Sequence, residues 1–128
     1  MGTREDRLAE VRQDVIDKAL SFRLCFRELS TAINTSANLQ GFWSTSVGEN
    51  KAEKIALMHS ELSEALEGIR KNLPSDHLPG FLMETEELAD CIIRIMDYAQ
   101  HFDLPLADAI TEKVKFNTTR EYLHGKKF

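Results

Sequence analysis

Residues 3–40 contain neither glycine nor proline. A run of that length without a helix breaker, carrying apolar residues at a regular period, has few ways to fold. Leu8, Val15, Phe22 and Leu29 recur every seven residues, and Ala19, Phe26 and Ile33 form a second such row. Both rows fit one side of an α-helix. The spacing predicts one amphipathic helix of about 30 residues, or two in tandem. A helix that long calls for another long helix to cover it, in the same chain or in a second subunit.

The helical period continues through most of the chain. It breaks at residues 34–50, which are polar and small apart from Leu39, Phe42, Trp43 and Val47. These residues read as an ordered loop with an aromatic pair. Asn50 followed by Glu53 predicts the N-terminus of a second helix, which runs to about Lys71. Residues 72–80 hold two prolines and a glycine and read as a turn-rich connector. A third helix is expected from about Phe81 to His101. Asp103 with Pro105 marks the start of a fourth, which ends before Gly125. The expected fold class is all-α: a four- to five-helix bundle of antiparallel helices, completed by subunit association. At 128 residues the chain fits one domain, 1–128, with 1–20 as an N-terminal helical extension.

Composition narrows the functional classes. The net charge of −5 argues against a broad basic face for nucleic acid. No stretch approaches the ~20 apolar residues of a membrane span. Residues 1–7 are too charged for a secretory signal. Cys25 and Cys91 lie among apolar residues and read as reduced core thiols, which suits a cytoplasmic protein.

Two acidic pairs stand out, Glu61-Leu-Ser-Glu64 and Glu87-Leu-Ala-Asp90. Spacing alone is weak, because 21 acids in 128 residues give roughly three such pairs by chance. Placement strengthens it. On the second helix the apolar stripe is Ile55, Met58, Leu62, Ala65, Leu66 and Ile69, and Glu61 and Glu64 lie together at its edge. Gly68, one turn on, leaves room for something to approach. On the third helix Glu87, Asp90, Arg94, Asp97 and His101 form a polar stripe beside a broad apolar face. A carboxylate near a core is costly unless a positive charge neutralises it. Four converging hard oxygens favour Mg²⁺, with Mn²⁺ as a substitute, over Zn²⁺. Arg94 is spaced to pair with Asp90 or Asp97 and so hold the carboxylates in place.

Glu61-x-x-Glu64, 22 residues, then Glu87-x-x-Asp90 resembles the signature of the MazG-like all-α nucleoside triphosphate pyrophosphohydrolases. The flanking segments around Ile55–Glu67 and Glu86–Asp97, the block from Lys113 through Asn117 and Arg120 to Gly125, and Gly41-Phe-Trp43 are similar to that family too. The resemblance covers residues 22–128. It implies Mg²⁺-dependent hydrolysis of a (d)NTP to the (d)NMP and pyrophosphate, in a housecleaning role. It implies Glu61, Glu64, Glu87 and Asp90 as metal ligands, with Glu61 or Glu64 as the base that takes the water's proton. Lys113, Asn117 and Arg120 share one helix face and suit phosphate or sugar oxygens, and Trp43 suits a base. Arg94 and Asp97 are expected as structural support. A homodimer, or a homotetramer built as a dimer of dimers, is the implied assembly. A reading of a different class is a non-catalytic helical oligomerisation and interaction module, or a nucleotide-binding sensor.

Overall fold

The computed structural model describes residues 2–44 and 50–128. Four helices follow one another: α1 (Arg4–Leu39), α2 (Lys51–Lys71), α3 (Met83–His101) and α4 (Leu106–Asn117), then a short 3₁₀ turn, Tyr122–Gly125. The expected all-α bundle class is observed. The described residues contain no strand, only an isolated bridge between Pro74 and Leu82 in the connector.

α1 is one uninterrupted helix of 36 residues, which corrects the sequence expectation of a loop from residue 34. Residues 34–39 form its last turns. The polar run Asn34-Thr-Ser is held in helix by side-chain bonds: Asn38 Nδ2 donates to the Asn34 carbonyl at 2.8 Å. The helix ends just before the first glycine downstream of its start, Gly41. Gly41 takes φ of +88°, and this left-handed turn lets the Phe42 N–H reach the Ala37 carbonyl at 3.0 Å. Residues 45–49 of the expected loop lie outside the described residues.

α2 begins as expected. The Asn50 side-chain oxygen accepts from the N–H groups of Ala52 and Glu53 at 3.0 and 3.2 Å. It ends on Asn72 in the left-handed region (φ 51°), with the Leu73 N–H on the Gly68 carbonyl at 3.0 Å.

The chain divides into two compact units, residues 1–28 with 105–128, and residues 29–104. In the first, the opening part of α1 and α4 are tied by polar bonds. Arg12 Nε donates to Thr118 Oγ1 at 2.8 Å, and Arg23 pairs with Asp108 at 2.7 Å. Arg4 also donates to the Arg120 carbonyl just past α4, at 3.4 Å. Cys25 is exposed here, against its expected place in a core.

In the second unit α2 and α3 form an antiparallel hairpin. Gly68 lies against Met83 at one end, while Cys91 reaches the Met58 carbonyl further along. The contact is made by small residues. Ala65, Gly68, Cys91 and Ala99 are buried, with Met58 and Met96. A Cβ on Gly68 would sit 3.0 Å from the Met83 Cβ and 3.2 Å from the Glu84 nitrogen. The space that Gly68 leaves is therefore filled by the first turn of α3, not by a ligand.

This close packing shifts the expected faces. The α2 edge that carries Glu61 and Gly68 turns toward α3. Ile55, Leu62, Leu66 and Ile69 of the expected core stripe are exposed, as are Leu88, Ile92 and Ile93 on α3. Short side chains let the helix backbones approach, and the bulky aliphatic residues are left outside the contact.

Candidate functional site

The hairpin brings three of the four motif carboxylates together. Glu61 from α2 and Glu87 and Asp90 from α3 each offer an oxygen within 4.8 Å of the others. Glu64 hydrogen-bonds Glu61 and stays exposed at the rim. Around an octahedral cation with bonds of about 2.1 Å, ligand oxygens lie roughly 3 to 4 Å apart. The three carboxylates thus fit one small hard cation after modest rotamer changes, and Glu64 is placed to assist.

Glu61 is the hub. It is 5% exposed, and it is hydrogen-bonded to Arg94, Glu64 and Glu87. Burial pushes its carboxyl up, but the Arg94 guanidinium and the neighbouring acids' hydrogen bonds outweigh that and hold it below the usual range. Its neighbours move the other way. Glu87 is pushed up to about 7, first by burial, then by its hydrogen bond to Glu61 and the surrounding carboxylate charge. Asp90 is raised by burial and by the charge of Glu61. Glu64 is raised chiefly by its bond to Glu61. Negative charge is thus crowded here beyond what one guanidinium neutralises.

The expected pairing of Arg94 with Asp90 or Asp97 gives way to a bond across the helix interface, Arg94 Nε to Glu61 Oε1. Both residues sit on the facing sides of α2 and α3, and Glu61 is the most buried of the acids, so it gains most from a cation. Asp97 serves a different group. Its carboxylate accepts from Asn34 Nδ2 at 2.8 Å and from Trp43 Nε1 at 3.0–3.1 Å.

Beside the acids lies a cavity of about 510 Å³. Glu61, Asp90 and Arg94 form part of its wall, with Asp97, Tyr98, Lys54 and Trp43. The volume suits a small organic ligand. Trp43 is 7% exposed, whereas its neighbour Phe42 is 57% exposed. Trp43 stacks on His101 with centroids 3.6 Å apart and planes 8° from parallel. Lys54 Nζ lies 4.2 Å from the same ring centroid. Two groups that close over one ring must take opposite faces, so Trp43 reaches the cavity as wall, and a base could stack on it only after Lys54 moves.

Lys113, Asn117 and Arg120 belong to the other unit, at the end of α4 and just beyond. Lys113 Nζ and the Arg120 guanidinium lie 4.8 and 5.7 Å from the Phe116 ring centroid, and Asn117 Oδ1 is buried without a hydrogen-bond partner. The acidic cluster and its cavity are lined by residues of the second unit alone.

Sequence reasoning missed three supports. Glu86 lies outside the two acidic pairs yet is buried, held by Ser75 Oγ and by His77 Nδ1 at 2.7 Å. It anchors the connector one residue before Glu87. Asn34 and His101 complete the setting of Asp97 and Trp43. The signal for Glu86 was Ser75-x-His77 inside the connector, legible only once the connector folds back on α3.

No family model, curated protein or solved structure matches this chain.

Proposed function

We propose that the chain is a Mg²⁺-dependent nucleotide pyrophosphohydrolase that converts a (d)NTP to the (d)NMP and pyrophosphate. The observation that carries the reading is the convergence of Glu61, Glu87 and Asp90 at the edge of a ligand-sized cavity. The donor set is all carboxylate, which suits Mg²⁺ or Mn²⁺. The resemblance to the MazG-like signature supplies the triphosphate as substrate.

When bound, the cation would neutralise charge on the triphosphate and lower the pKa of an attacking water. The chain's own residues do the rest. Glu61, Glu87 and Asp90 supply ligands, and Glu64 can turn in from the rim. Glu64 is exposed beside Glu61, so once deprotonated it can receive the water's proton, and Glu61 is the alternative base. The cavity walls exclude solvent on one side and leave about 510 Å³ for the nucleoside. Lys113, Asn117 and Arg120 are assigned to phosphate or sugar on the strength of the resemblance.

The resemblance also supports a homodimer, or a dimer of dimers, and the reading of both cysteines as reduced thiols supports a cytoplasmic location. The aliphatic residues left exposed along α2 and α3 favour such self-association. The same exposed face favours the second reading, a non-catalytic interaction module, and one assay separates them. The protein is incubated with Mg²⁺ and a panel of canonical and modified NTPs and dNTPs, and products are resolved by anion exchange. Monophosphate with pyrophosphate, lost in Glu61→Gln, is expected. Release of single phosphate overturns the reaction type, and no turnover with any substrate overturns the enzyme reading.

A further inference from the structure

We propose that Arg94 is an exchangeable internal cation of the acidic centre, which competes with the divalent ion for Glu61 and, once displaced, binds the anionic substrate in the adjoining cavity. The inference rests on the hydrolase reading's claim that this centre takes a divalent cation.

Arg94 Nε sits on Glu61 Oε1, and Glu61 is the most buried carboxylate residue of the cluster. A divalent ion held by Glu61, Glu87 and Asp90 would lie within a few ångströms of that guanidinium. Two cations so close in a partly desolvated site repel strongly. A lysine or histidine could relieve the repulsion by losing a proton. A guanidinium cannot, so it must move.

The structure gives it somewhere to go. The Arg94 side chain is 38% exposed and lines the cavity. One turn along α3, Asp97 also lines the cavity, and its carboxylate accepts from the neutral donors Asn34 and Trp43. Swinging from Glu61 toward Asp97 keeps Arg94 beside an acid. It also aims a planar fork of N–H donors at the space next to the cluster, where phosphate oxygens would lie. Lys54 borders the same cavity and adds positive charge to it. In this scheme the arrival of metal and the readiness to hold anion are one event.

Mn²⁺ titration followed by the EPR signal of the free ion tests the exchange, with no nucleotide present. Arg94→Gln removes the competitor and is expected to bind Mn²⁺ about tenfold more tightly than wild type. Arg94→Lys, which keeps a cation, is expected to stay within about threefold of wild type. At saturating Mn²⁺, calorimetry with inorganic tripolyphosphate is expected to show at least tenfold weaker binding to Arg94→Gln. If Arg94→Gln loses its helical circular dichroism, Arg94→Met keeps the aliphatic stem and carries both measurements. Equal or weaker Mn²⁺ binding without the guanidinium overturns the exchange, because Arg94 would then be orienting Glu61 for the metal. Unchanged tripolyphosphate affinity overturns the second step. Wild type that hydrolyses nucleotides while Arg94→Gln fails to tighten sinks this inference and leaves the hydrolase reading standing. If neither protein binds Mn²⁺, both fall.

Discussion

Glu87 shows how far a single residue's surroundings set the chemistry of the centre. Burial, its bond to Glu61 and the adjacent carboxylates push its carboxyl up to about 7. A cation must therefore displace a proton from Glu87 whenever the pH is below that value. Apparent Mn²⁺ affinity is expected to fall as the pH drops through 7, toward tenfold per unit, with proton release visible by calorimetry in buffers of different ionisation enthalpy. An affinity flat from pH 5.5 to 8 would contradict the shared-carboxylate geometry. The same shift acts on folding of the metal-free protein. A carboxyl raised in the folded state gives stability that is complete below its unfolded value and lost as pH rises through its folded value. The melting temperature is expected to decline between pH 5.5 and 8, and Glu87→Gln should flatten that decline.

Asp97 illustrates a different constraint on one side chain. It accepts from Asn34 and Trp43 and thereby fixes the indole against His101 and Lys54. Asp97→Ala leaves a buried indole N–H unsatisfied, at a cost of about 1–3 kcal/mol. Trp43 is the sole tryptophan, so its emission reports the change directly. A red shift with a lower melting temperature is expected, and unchanged emission would mean that the indole is held without Asp97. Neither bond was legible in the sequence. Asn34 and Asp97 are 63 residues apart, and no spacing rule links a residue at the end of α1 to one on α3.

At the scale of elements, what the sequence made legible follows from how local each signal is. The start of α2 was readable because Asn50 caps N–H groups two and three residues away. The end of α1 was misplaced because Asn34-Thr-Ser resembles a loop, whereas Gly41 supplies the actual stop. The acidic motif was readable as two pairs, but not which edge of α2 faces α3. That edge is chosen by the small residues that let the helices approach. Gly68 tests this directly. On helix propensity alone Gly68→Ala would gain up to ~1 kcal/mol. Here the added Cβ meets Met83 at 3.0 Å and the Glu84 nitrogen at 3.2 Å, and overpacking of this kind costs about 1–3 kcal/mol. A net loss of several degrees in melting temperature is expected. Mn²⁺ affinity should fall with it, because the displaced first turn of α3 leads directly into Glu87. A stabilised Gly68→Ala variant would show that the contact is loose.

For the whole molecule the telling feature is how little of the aliphatic surface is buried by one chain. No large side chain is fully buried among the described residues, while Leu62, Leu66 and Ile69 on α2 and Leu88 and Ile92 on α3 are each more than 40% exposed. A stable monomer seldom leaves so many aliphatic residues along one hairpin in water. Burying each fully in a second copy would contribute about 1.5–3 kcal/mol, before the cost of association. The proposed self-association therefore makes a specific demand. Light scattering of the wild type at micromolar concentration should give twice or four times the 14.6 kDa chain mass. Leu66→Lys combined with Ile92→Glu should reduce it toward the monomer. Both substitutions sit on the outer side of the α2–α3 hairpin, away from Glu61, Glu87 and Asp90, so the dissociated variant should retain helical circular dichroism. A wild type that runs as a monomer at every accessible concentration would remove self-association from the proposal, and the exposed aliphatic residues would then need a partner of another kind.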